Sequence, residues 1–140
     1  MSRISFAALL AVVLSAAACD NNNSTTAPTS TPSQTTVSDT FNGTLTKNGA
    51  SNFAFNVSAQ GAVYATLNSV SDSTIPVSMS LGIWDSLTSS CAVVLANDAA
   101  VQGATIAGSA SGIGQLCVRV ADPLGTIASP LDYQITVTHF

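Results

Sequence analysis

The chain has 140 residues, 46% of them hydrophobic and only 7% charged, with a formal net charge of −4. Its acids are seven aspartates, and Arg3, Lys47 and Arg119 are its whole basic complement. So sparse a cationic set excludes nucleic acid as a partner, because counterion release needs clustered Lys and Arg; it also offers no basic patch for anionic lipid head groups.

Arg3 opens the chain with a positive charge, residues 4–14 are apolar, and Ala16, Ala17 and Ala18 then supply small side chains directly before Cys19. A charged start, an apolar run and small residues at the scissile bond make a secretory signal segment. The apolar run is about 15 residues, short of the roughly 20 that cross a bilayer as a helix. With Cys19 at the cut, the segment resembles the lipobox of bacterial lipoproteins, although Ala16 stands where that box usually has Leu. The resemblance implies removal of residues 1–18, a diacylglyceryl group on the Cys19 thiol, and an N-terminus carrying two or three fatty acyl chains. Several chains anchor stably where one holds only marginally. The expectation is a bacterial envelope protein facing the periplasm or the cell exterior, with the membrane as its partner through Cys19. A plain secretory signal leaving a free thiol and a membrane-spanning helix are the alternatives.

Residues 19–38 read CDNNNSTTAPTSTPSQTTVS, with Pro28 and Pro32 among Ser, Thr and Asn. Such a stretch buries too little surface to offset its ordering entropy, so it is expected to be a disordered tether. Residues 39–140 are expected to form one domain. Its text is short alternating runs parted by turn residues, with no stretch at helical period. Phe41, Gly43 and Leu45 share one face of a first strand, and Phe53, Phe55 and Val57 one face of the next. Val63, Ala65 and Leu67 follow, then Val77, Met79, Leu81 and Ile83 in the clearest alternation of the chain. Residues 91–96 are a short apolar run, and residues 103–109 a small-residue strand expected at an edge. Leu116, Val118 and Val120 alternate again, and Tyr133, Ile135 and Val137 close the chain. About eight strands over about 100 residues predict an all-β fold, an antiparallel β-sandwich with one modest core.

DTFNGTL (39–45), Phe53 and Phe55, VSMSLGIWD (77–85), LCVRVAD (116–122) and DYQITVTH (132–139) together resemble the bacterial pre-peptidase C-terminal domain family. Ala121 stands where that family commonly has an aromatic residue. The resemblance implies a jelly-roll-like sandwich. In that family the domain is usually appended to secreted peptidases, with inferred roles in secretion, localisation or substrate attachment; here a signal segment and tether precede it.

With Cys19 acylated, Cys91 and Cys117 remain, an even count in an oxidising compartment, and a disulfide between them is expected. Unpaired buried thiols and a metal pair are the alternatives, the latter a poor zinc site with no histidine near either cysteine. The sole histidine, His139, is penultimate and is expected to be exposed; no nucleophile-elbow motif accompanies the many serines. No catalytic residue is therefore assigned, and no cofactor. Asp72, Asp85, Asp98 and Asp122 fall in expected loops, where Asp shapes turns; calcium needs six to eight oxygens and no compact acidic motif gathers them, so no metal is assigned. Arg119 is expected to pair with Asp122 or another aspartate. Tyr64 and Trp84 lie on the strand faces opposite Val63 and Ile83, where aromatic rings stack on sugars or anchor proteins. The reading is a non-enzymatic, lipid-anchored interaction or structural module. The alternative is a carbohydrate-binding module using Tyr64 and Trp84, so an envelope protein or a glycan is the further partner.

Overall fold

The computed structural model describes residues 33–140, and the expectations for the signal segment, Cys19 and most of the tether lie outside the described residues. The alternating runs form β1 (Val37–Leu45), β2 (Ala50–Val57), β3 (Gly61–Val70), β4 (Val77–Asp85), β5 (Ser90–Ala100), β6 (Thr105–Ala110), β7 (Gly114–Ala121) and β8 (Leu131–His139). The first strand begins two residues inside the stretch read as tether. Every pairing is antiparallel. One sheet has the order β1-β8-β3-β6 and the other β2-β7-β4-β5. Apart from the β4–β5 hairpin, each strand crosses to the opposite sheet from its predecessor. This is the eight-stranded jelly roll.

Period-2 patterning explains why these segments are strands. Along β8, Leu131, Tyr133, Ile135, Val137 and His139 are buried, while Asp132, Gln134, Thr136 and Thr138 face outward. The inner face of one sheet thus brings Leu45, Val63, Ala65, Leu67, Ile135 and Val137 to the core, and the other brings Phe55, Val57, Val77, Met79, Val118 and Val120. Aromatic contacts join the layers. Phe41 stacks on Phe53 with centroids 4.9 Å apart, and Phe53 meets the Tyr133 ring edge-on at 6.5 Å. Tyr133 fits because its cross-strand partner is Gly43, where a Cβ would press into the phenol ring. Burial raises the pKa of that phenol, and Ser51, the neighbour that would lower it, does not reach hydrogen-bond geometry.

The pairing registers define two ends. Val37 pairs with His139, Val57 with Gly114, Gly61 with Ala110, and Asp85 with Ser90. The start of β1, the turns after β2, β4 and β6, and Phe140 therefore share a proximal end, through which the chain enters the domain. A hydrogen bond of 2.8 Å from the Ser58 N–H to the Phe140 carbonyl ties them together. The other four connections share the distal end. There the buried Asp122 carboxylate (3% exposed) accepts hydrogen bonds from the N–H groups of Asn48, Thr126 and Ile127 and from the Thr126 hydroxyl. Burial pushes its pKa up, but these donors outweigh burial and hold it below the ordinary carboxylate value. Asp122 thereby fastens the β7–β8 loop to the β1–β2 turn.

Candidate functional site

The proximal end is apolar at its tips. Asp85 builds the β4–β5 turn by accepting from the N–H groups of Leu87 (2.9 Å) and Thr88 (3.4 Å), and Ser89 adopts φ 51°. The Thr88 side chain and then the Leu87 N–H hold the Asp85 carboxyl below its ordinary range. That turn lifts Leu87 to the tip, 95% exposed, and the β6–β7 turn presents Ile113, 84% exposed, between two glycines. Ile83 keeps the inward phase of β4 yet is 57% exposed, because the sandwich opens there. The opening is a groove of about 390 Å³ lined by Leu81, Ile83, Val94, Leu95, Ile113 and Leu116 among others. It runs between the free edges β5 and β6, and Val93, Val94 and Leu95 extend its apolar character along β5.

Formal charge is shared evenly between the ends. Asp72, Asp98, Asp122 and Asp132 belong to the distal half together with Lys47 and Arg119; the proximal half holds Asp39 and Asp85 and no Lys or Arg. Arg119 sits in mid-sheet opposite Asn52 and Ser80. Among the described residues it makes no carboxylate ion pair, so the expected partnership with Asp122 is not formed. The reason is direction: Asp122 turns to the backbone donors of its own loop.

A second surface, the outer face of β1-β8-β3-β6, is almost uncharged. Thr40, Thr136, Thr66 and Thr105 stand side by side across its four strands. Hydroxyl and amide bonds knit the face together, among them Thr40–Thr136 (3.1 Å), Thr66–Thr105 (2.9 Å) and Gln134 to Asn42 (3.0 Å). A register shift between Leu67 and Ser69 leaves a shallow polar hollow of about 520 Å³, bordered by Asn42, Thr44, Ser69, Asp132 and Gln134. Tyr64 is exposed on this face, as its phase predicts. Trp84 is half-buried at the end of β4 on the other sheet. The two aromatics therefore do not converge, and a sugar platform using both is not assembled.

Cys91 and Cys117 form a disulfide, with Cα atoms 5.7 Å apart. Cys117 on β7 pairs with Gly82 of β4, and Cys91 on β5 pairs with Trp84. The bond thus joins the strands on either side of β4, and over Gly82 the β5 backbone comes so close that a Cβ there would collide with the Ala92 carbonyl. Cys117 is fully buried although it has the outward phase.

His139 corrects the expectation of an exposed terminal histidine. It continues the inward phase of β8 by one step and is 2% exposed. Its ring stacks on Phe55 at 5.2 Å. Nε2 lies 3.0 Å from the Asp39 carboxylate and Nδ1 3.3 Å from the Phe140 carbonyl. Both ring nitrogens are engaged within the chain. The four aspartates expected in loops stay apart, and not all are in loops: Asp72 caps the Thr74 turn, Asp98 lies within β5 and accepts from Ser78, Asp85 ends β4 and builds the turn after it, and Asp122 serves its own loop. Among the described residues no group of three metal-ligating side chains forms.

Leu87 and Ile113 were not singled out from the sequence. The signal was there: each is a large apolar residue inside a turn, flanked by Ser86 and Thr88 or by Gly112 and Gly114, where polar residues belong. Neither a scan against protein-family models nor a search of the curated proteins finds a match for this chain.

Proposed function

We propose that this chain is a non-enzymatic, lipid-anchored protein of the bacterial envelope, held through acyl chains on Cys19 and presenting its jelly roll as an interaction module. The observation that carries the reading is the apolar proximal end, where Ile113 borders an open apolar groove and Leu87 projects from another turn of the same end. Large exposed apolar side chains gathered at one end, with an apolar groove, mark an interaction site. Two further features support it. The chain enters the domain at this same end, and the only histidine spends both nitrogens on structural partners. Kinship with the pre-peptidase C-terminal domains belongs to the same proposal, and the jelly-roll strand order is compatible with it.

The test is a photo-cross-linking residue in place of Leu87 in the envelope-embedded protein, with the same residue at Thr136 as comparison. Adducts from position 87 in excess of those from 136 are expected; adducts only from 136 overturn the reading. A second reading, carbohydrate binding, is favoured by the uncharged hydroxyl and amide face around Tyr64. Specific glycan binding lost on Tyr64→Ala would establish it, and retention after Trp84→Ala is then expected because that ring lies on the other sheet.

A further inference from the structure

The partner of the proximal end can be named by its chemistry. We infer that this end rests on the lipid surface of the protein's own membrane, with Leu87 and Ile113 inserted at the level of the head groups and upper acyl chains. The inference rests on the anchoring reading of Cys19.

Three observations point the same way. The first is connectivity. β1 starts at Val37 on the proximal end, and residues 20–36 separate it from Cys19. Seventeen residues span at most about 60 Å even fully extended, so an acylated Cys19 holds the domain, by this end, within that distance of the bilayer. A tethered surface acts at high effective concentration, and weak insertion then suffices. The second is the pair of tips. Among the described residues Leu87 and Ile113 are the two most exposed large apolar side chains, and both belong to turns of this end; Leu124, at 81%, is the one comparable side chain at the distal end. The third is ring placement. Trp84 and Tyr64 lie in the proximal half of their strands, where rings with one polar atom suit a membrane–water interface.

A second copy of the chain is the competing occupant. The edge strand β5, which a copy would use for strand pairing, carries register shifts opposite Met79 and Gly82. Such bulges blunt an edge against pairing. No Lys or Arg lies at the proximal end, so insertion depends on apolar contact, and neither anionic lipid nor low salt is required.

Trp84 is the only tryptophan of the chain and supplies a native probe. The intact mature lipoprotein, its Cys19 state read by mass spectrometry, is reconstituted into phosphatidylcholine vesicles with or without brominated acyl chains. Brominated lipid is expected to quench Trp84 emission by at least about a third, equally at low and high salt. The double variant Leu87→Ser/Ile113→Ser should lower that quenching at least about two-fold with acylation unchanged. A tryptophan placed at exposed Leu124 of the distal end, in a Trp84→Phe background, should not be quenched. Acylated protein whose Trp84 emission ignores brominated lipid overturns the inference and leaves anchoring intact. Emission that depends on protein concentration instead assigns the end to a second copy and overturns it as well. An unmodified Cys19 overturns both the inference and the anchoring reading.

Discussion

Removing the Cys91–Cys117 bond should release β5 before it loosens the rest of the domain. β5 is an edge strand whose only ladder partner is β4, and that ladder is interrupted twice by register shifts. The disulfide gives it a second attachment, to β7. The bridged residues are 26 apart, and the chain-entropy model puts the stabilisation from closing such a loop at roughly 3.5 kcal/mol. For a domain of this size that corresponds to a melting shift of about 15 °C. The measurement compares oxidised protein with the Cys91→Ala/Cys117→Ala variant by thermal and urea unfolding, with amide exchange followed strand by strand. Exchange should rise first in β5, while β8, paired on both sides at the centre of its sheet, keeps its protection. A shift under about 3 °C, or loss of protection equal in β5 and β8, would refute the reasoning.

Gly82→Ala should be destabilising by about 1–3 kcal/mol, because the added carbon meets backbone of β5 rather than a movable side chain; urea unfolding reads it. Asp122 has a folded pKa below its ordinary 3.8, so its contribution is complete above that value and disappears as pH falls through the lower folded value. Asp122→Asn should lower the melting temperature at pH 7 and flatten its fall below about pH 4, measured by melting across an acid series. His139→Ala removes the Phe55 stack and leaves Asp39 without its partner, at a cost of about 1–3 kcal/mol by chemical denaturation.

What the sequence revealed and what it hid follow the physics of alternation. β3 and β8 bury one face, so period 2 is written in their residues; β4 keeps the alternation in sequence although Ser78 and Ser80 of its other face are buried as well, and all eight runs form strands, with β5 continuing four residues past the predicted run through Asn97 and Asp98. β5 is different. Residues 91–96 are apolar on both faces, one supplying the groove and the other exposed at the edge, and bulges shift their phase against β4. Local text carries no such information. The outward phase of Tyr64 and Trp84 was legible from Val63 and Ile83, yet their separation was not. β3 and β4 are sequence neighbours that belong to opposite sheets, a consequence of the crossing connections rather than of either strand. The disulfide could be inferred from the cysteine count, but the close approach of the β5 backbone over Gly82 could not. His139 was misjudged because chain ends are usually exposed, whereas here the alternation of β8 runs through the penultimate residue. Leu87 and Ile113 were visible as apolar letters in turns; only the fold brings both to the end where the chain enters.

Intact mass of the mature protein extracted from its own envelope addresses the account most directly. A chain beginning at Cys19 and heavier by a diacylglyceryl group, with or without a further acyl chain, is the result required. A chain that begins at Cys19 with a free thiol, or one that retains residues 1–18, contradicts it.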